Sequence, residues 1–330
     1  MAEWQTTYRI AWFWVCLFGI FALVSLKFCL DIDYKAYNTP TFMTERLLER
    51  DIPAHVGASL ELKNYENVKD GKCLKRLPKA IIVGAMKCGT GTMNEFLNCH
   101  PDIRSLTGEN DFFINDTLYN KGLTWFKNIM PCTYPHQIAI TKKPQYFVRE
   151  RAPPRILSMD RNIKLIFMLR DPVERAMSNY LHRLHAGKVA GKEFLQMVFL
   201  PDGRTVKETN EYIHISSYVD HVQRWLKYFD KTNMIFIDAD LLRIRPWIEL
   251  KRVEKFLGVR DYFTEDMFPF VEERGERCVK QMSGDFKCMS EKKGRSHPKI
   301  EEESEKLLRN YFAPLNRQLF ELLNTTFDWE

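Results

Sequence analysis

The sequence holds no H-E-x-x-H, no paired C-x-x-C and no aspartate-rich loop, so the short patterns that gather a protein-bound metal are missing and no metal is expected. His182 and His185 share one helix face, but a pair without further ligands is a surface feature rather than a zinc site. No repeat of solenoid period and no low-complexity tract is present, which excludes solenoids and disordered arrays. Neither sign of charge dominates. The balance of 49 Lys and Arg against 43 Asp and Glu leaves a formal +6, and no nucleic-acid-binding motif accompanies it. With 15 glycines, 15 prolines and 45% hydrophobic content in 330 residues, the composition is that of a globular chain with one sizeable α/β core.

Long apolar runs are scarce too, and Ile10–Leu26 stands out as uncharged and mostly apolar between Arg9 and Lys27. It is longer than a signal h-region and lacks a small-x-small cleavage site, so it is expected to be an uncleaved signal anchor. Residues 1–9 would then be a short cytoplasmic tail, 27–76 a polar lumenal stem containing Pro40 and Pro53, and 77–330 the folded domain. The flanking charges do not fix the orientation. The sequons Asn115-Asp116-Thr117 and Asn324-Thr325-Thr326 favour a lumenal domain. Of eight cysteines, Cys16 and Cys29 belong to the membrane region, and spacing alone leaves open how Cys73, Cys99 and Cys132 pair.

Three segments carry the chemistry. Lys79–Leu97 reads KAIIVGAMKCGTGTMNEFL, a short apolar strand that runs into a glycine-containing loop and then a helix former. Backbone N–H groups, Thr hydroxyls and the Lys87 ammonium would converge there on an anion at a helix N-terminus. The loop differs from G-x-x-x-x-G-K-[ST], because its lysine precedes Gly89 and Thr-Gly-Thr follows. A strand–Gly–helix turn made for packing alone is the competing explanation. Lys164–Leu184 reads KLIFMLRDPVERAMSNYLHRL, a second strand that ends in Arg170-Asp171-Pro172. Asp171 can cap the following helix and Pro172 suits its first turn. Arg170 would stand at the strand's carboxyl end, where open α/β sheets bind ligands, with Ser178 two turns along the helix. By itself, Arg170 could equally pair with a helix carboxylate. The third segment, Cys278–His297, places the basic run Lys292-Lys293-Gly294-Arg295 after a polar turn bracketed by two cysteines; a solvated charged loop is the plainer alternative.

In this order and at these distances, the segments resemble the sulfotransferases that use 3′-phosphoadenosine 5′-phosphosulfate (PAPS). The similarity is greatest to the Golgi heparan sulfate glucosamine 3-O-sulfotransferases and covers roughly Leu77 to Glu330, including HPDI, KGLTWF, MPCTYPHQ, HVQRWLKYF, KGRSHP and TFDWE. The resemblance implies a PAPS loop at Lys87, Cys88, Gly89, Thr90 and Gly91, and 3′-phosphate ligands at Arg170 and Ser178. It further implies a PAPS contact from Lys293, Gly294, Arg295, Ser296 and His297, a general base at Glu109, and sugar contacts from Lys142 and His182. It also implies a Cys278–Cys288 disulfide, a type II single-pass location in the Golgi membrane, and heparan sulfate or a related sulfated polysaccharide as partner. The relatives read Glu-x-His-Phe-Phe-Asp where this chain has Glu109-Asn110-Asp111-Phe112-Phe113-Ile114, so the sugar-facing surface is altered.

Sulfuryl transfer resembles phosphoryl transfer in needing alignment and charge stabilisation. Lys87 would stabilise the departing phosphate and Glu109 would take the hydroxyl proton. A carboxylate is a stronger base where burial disfavours its charge, and Phe112 and Phe113 are expected as apolar neighbours. Strand alternation would place Asp111 on the face of Glu109, as a coupled pair. Basic residues gather at Lys142-Lys143, Arg149 to Arg155, Arg243 to Arg245 and Lys292 to Arg295, as they would around a cleft for a polyanionic sugar. The competing functions are N-sulfation or sulfation of another glycan, glycan binding without catalysis, and a P-loop kinase. The last lacks its Lys-[ST] pair. Expected elements are strands Ala80–Val83, Lys164–Leu169 and Met234–Ile237, and helices Thr92–Cys99, Val173–Leu184, Ser217–Phe229, Ile248–Leu257 and Glu302–Leu323. Their alternation predicts a mostly parallel sheet flanked by helices, with Trp225, Phe229, Leu307, Leu308, Tyr311 and Phe312 in packing roles.

Overall fold

The computed structural model describes residues 71–189, 191, 193–281, 284–288 and 297–329. The expected tail, anchor and most of the stem, together with Lys293, Gly294, Arg295 and Ser296, lie outside the described residues. Among the described residues no helix is long and apolar enough to cross a membrane.

The strands in chain order are β1 (Leu74–Lys75), β2 (Ala80–Gly84), β3 (Ile103–Ser105), β4 (Cys132–Thr133), β5 (Ile138–Lys142), β6 (Lys164–Leu169) and β7 (Met234–Asp238). Five of them form the central sheet in the order β3-β5-β2-β6-β7, and every neighbouring pair is parallel. Its middle strands read as continuous apolar runs because helices cover both faces: Ala80 to Val83 and Leu165 to Leu169 are fully buried. After β2 the chain crosses to the β3 edge, whereas after β6 it continues to the opposite edge at β7. The loops leaving β2 and β6 therefore diverge, and the crevice between them is the topological switch point where such sheets bind ligands.

The helices fall close to their expected bounds, at Thr90–Leu97, Pro172–His185, Tyr218–Leu226, Pro246–Leu257 and Glu302–Leu323. The start at Pro172 follows from its cap, since Asp171 Oδ1 accepts the N–H groups of Val173 at 2.8 Å and Glu174 at 2.9 Å. Trp225 is fully buried and donates to the Phe147 carbonyl at 3.0 Å, as a core tryptophan must to satisfy its N–H. Leu308 and Phe312 pack with Val173, Met177 and Tyr180 in a smaller cluster beside the main core.

Among the described residues, two disulfides fasten segments outside the central sheet, one of them holding the end of the expected stem to the domain. Cys73 is joined to Cys132, and β1 pairs antiparallel with β4. Cys278 is joined to Cys288, the pairing the resemblance implies.

Candidate active site

All the strand ends that matter point the same way. The loop after β2 carries Lys87 to Gly89, the segment after β3 carries Glu109, β5 ends on Lys142, Arg170 follows β6, and Asp240 follows β7. Ile82 pairs in register with Lys142, so the lysine sits one strand away from the loop. Gly84 makes that approach possible. Its φ is +147°, and a Cβ there would come within 2.5 Å of Phe147 Cβ and 2.7 Å of the Pro144 carbonyl oxygen.

These ends enclose an open cleft of about 940 Å³, the size of a cofactor site, lined by Lys87 to Thr92, Glu109, Lys142, Arg170, Ser178, His182 and His297. Lys87 (φ +73°) and Gly89 (φ +74°) are left-handed, with Cys88 of ordinary hand between them. That alternation turns successive N–H groups to one side, as in the backbone nests that hold anions. Gly89 is the N-cap of the Thr90–Leu97 helix and brings no capping side chain, so an anion can serve the helix N-terminus.

Arg170 satisfies both readings of its sequence position. Its Nη2 pairs with Glu174 at 3.3 Å and its Nε lies 3.5 Å from Asp240 Oδ1, an ion pair without a hydrogen bond, yet the side chain lines the cleft. A buried guanidinium N–H that makes no hydrogen bond, the nest and the helix N-terminus make a donor set that fits a nucleotide bearing phosphates at two positions. His297 Nδ1 lies 2.5 Å from Glu174 Oε2, which ties the end of the KGR-x-H element to this wall. His297 holds the Glu174 carboxyl below the usual range through that contact.

The acceptor side differs from expectation. Phe112 and Phe113 are fully buried in a ring cluster with Phe126 and Tyr146. Glu109 is a third exposed and stands among ammoniums, with Lys142 Nζ at 2.5 Å and Lys143 Nζ at 3.5 Å. Asp111 does share its face, as alternation suggests, but Lys143 stands between the two, 2.7 Å from Asp111. The coupled carboxylates are thus charge-compensated rather than mutually repelling. Lys142 and His182 line the cleft, while Asp111 and Lys143 lie beside it.

Sequence reasoning missed Arg175, which is fully buried. It donates to Ser216 Oγ at 2.6 Å, to the Tyr212 carbonyl at 2.5 Å and to the Met86 carbonyl at 3.4 Å, tying the loop after β2 to the Glu211–Ser216 helix. The signal was available in the sequence, since Arg175 sits amid the buried stripe Val173, Ala176, Met177 of an amphipathic helix. Arg175→Ala is expected to lower stability by about 3 kcal/mol, because it leaves a cavity and two carbonyls without donors. Urea denaturation measures it, and a change within about 0.5 kcal/mol would contradict the role.

Cys88 is buried beneath the loop, 3.5 Å from Tyr218 Oη, which itself donates to the Arg170 carbonyl at 2.9 Å. Burial pushes its thiol up to about 11, so the nucleophilic thiolate is scarce at neutral pH. N-ethylmaleimide at pH 7.5 is expected to leave Cys88 unmodified in the folded protein and to label it after denaturation, read by mass spectrometry. Rapid labelling of the native protein with loss of activity would point to a catalytic thiol instead.

A sulfotransferase domain model matches residues 77–321, and the chain belongs to the sulfotransferase family. The heparan sulfate glucosamine 3-O-sulfotransferase 3B1 of Mus musculus is 38% identical over 259 residues, covering 78% of this chain and 66% of the relative. The heparan sulfate glucosamine 3-O-sulfotransferase 5 of Homo sapiens is 36% identical over 267 residues, covering 80% of this chain and 77% of the relative. The chain spans about two thirds of the length of the 3B1 and 3A1 relatives. A solved sulfotransferase from Alicyclobacillus acidocaldarius shares the fold, with a TM-score of 0.58 at 19% identity over 76% of this chain and 98% of that one.

Proposed function

We propose that the chain transfers the sulfuryl group of PAPS to the 3-hydroxyl of glucosamine residues in heparan sulfate. The observation that carries this reading is the meeting, in one cleft, of the Lys87–Gly89 loop with its two left-handed residues, Arg170 at the end of β6, and Glu109 beside Lys142. The loop N–H groups and the helix N-terminus hold the 5′-phosphate end, Arg170 and Ser178 hold the 3′-phosphate, and the resemblance adds PAPS contacts from Lys293, Gly294, Arg295, Ser296 and His297. As the acceptor oxygen bonds to sulfur, the bridging sulfur–oxygen bond breaks and its electron pair leaves with the phosphate of PAP. Lys87 stabilises that charge while Glu109 takes the hydroxyl proton. Lys142 and His182 face the sugar, whose sulfates and carboxylates suit a basic wall, and Lys143 lies beside that wall paired with Asp111.

Transfer of labelled sulfate from PAPS into defined heparan oligosaccharides, followed by disaccharide analysis, tests the reaction and its position. Label at the glucosamine 3-hydroxyl is expected. The exchange of the relatives' histidine for Asp111, held by Lys143, favours one rival, sulfation at the nitrogen or another position, and label found there would establish it. No transfer at all would leave a glycan-binding protein.

The same reading gives a type II protein of the Golgi membrane, anchored through residues 10–26 with its domain in the lumen. It is supported by Asn324, an exposed C-cap residue of the last helix. Expression in a secretory host should add a glycan there, so Asn324→Gln is expected to raise gel mobility by one glycan step. Unchanged mobility on removal of both sequons would contradict a lumenal domain.

A further inference from the structure

Two ammoniums and two carboxylates face the acceptor end of the cleft, and they divide unequally. Lys142 Nζ, which lines the cleft, is 2.5 Å from Glu109 Oε1, whereas Lys143 Nζ is 2.7 Å from Asp111 Oδ1 and 3.5 Å from Glu109 Oε2. Lys143 is only 9% exposed, so its ammonium has lost most of its water and needs a carboxylate partner. Both carboxylates are held by their backbone. The Asn110 carbonyl between them accepts from Tyr146 Oη at 2.5 Å, its side chain accepts the Phe112 N–H at 2.8 Å, and the Asp111 carbonyl accepts the N–H groups of Ile114 and Asn115, each at 2.9 Å. With the backbone held on both sides, a change of pairing is carried by the side chains, and the Lys143 ammonium, already 3.5 Å from Glu109, has the least distance to cover.

Resting on Glu109 as the general base, we infer that Asp111 is a positioning residue for the transfer reaction: it holds the Lys143 ammonium off Glu109. A carboxylate clasped by two close ammoniums is a poor proton acceptor. With Lys143 drawn 2.7 Å from Asp111 and left 3.5 Å from Glu109, Lys142 is the nearer cation on the base, and it lies where an anionic acceptor can draw it away. The acceptor's own sulfate or carboxylate then frees Glu109 to take the hydroxyl proton as the oxygen bonds to sulfur.

The test uses the full chain. Asp111→Asn keeps shape and removes charge, and kcat is expected to fall about tenfold, a part of the 10² to 10⁴ that a general base supplies. KM for PAPS and PAP affinity by calorimetry should stay within about twofold. Adding Lys143→Gln to Asp111→Asn should restore most of the lost rate, which a merely structural role would not allow. An unchanged kcat, a loss confined to the acceptor KM, a loss of PAP affinity, or a loss that Lys143→Gln leaves unrelieved would each overturn the inference. Glu109→Gln, measured beside them, separates the two levels: activity in that variant defeats the base itself, whereas an inactive Glu109→Gln with an unrescued Asp111→Asn defeats only the positioning role.

Discussion

Lys87→Ala is expected to lower the rate of sulfate transfer by about 10² to 10³, the loss that follows when one preorganised donor to a developing negative charge is removed. The substitution is informative because it leaves the backbone problem unchanged. Lys87 has a φ of +73°, which costs an alanine about as much as a lysine, so the loop geometry is not relieved or worsened by the exchange. The N–H groups of the loop, the helix N-terminus and Arg170 all remain, and PAP affinity should fall far less than the rate. Lys87→Arg should not restore transfer, since a broad planar guanidinium cannot stand where a compact ammonium meets one oxygen. Single-turnover transfer beside PAP calorimetry measures both quantities. Equal losses in affinity and rate would make Lys87 an anchor for the nucleotide rather than a stabiliser of its departure.

Glu109→Gln should reduce kcat by about 10² to 10⁴ while PAP affinity stays within about threefold. The amide keeps the shape and can still face Lys142, but it cannot accept a proton at the position where the carboxylate meets the cleft. Glu109 forms ion pairs with Lys142 and Lys143, whereas Arg170 pairs with Glu174 and Asp240, so the change is expected to leave the Arg170 wall of the nucleotide site in place. Full activity in this variant would refute the base.

Much of the fold was legible in the sequence because the central strands are buried on both faces. Ala80–Val83, Lys164–Leu169 and Met234–Ile237 are nearly unbroken apolar runs, and each is a strand. The two strands on the other side of β2 were not legible. Ile103–Ser105 has three residues with an arginine at its centre, and Ile138–Lys142 ends in Thr141 and Lys142. Only pairing with their neighbours gives these residues a strand's identity. The site divides in the same way. The turn after β2 was legible because an apolar run, a glycine-containing loop and a helix former follow one another there, and strand, turn and helix stand in that order. The neighbours of Glu109 were not, because Lys142 and Lys143 come from β5 and its end, and no local pattern reports which carboxylate a distant ammonium selects. Glu174 and Asp240, both against Arg170, belong to the same class, as does the buried Arg175.

The most direct measurement is a crystal structure of the protein grown with PAP. The nucleotide is expected in the crevice between the loops after β2 and β6, with its 5′-phosphate against the N–H groups of Gly89 to Thr92 and its 3′-phosphate on Arg170 and Ser178. Nucleotide bound at another place, or none at saturating concentration, would contradict it.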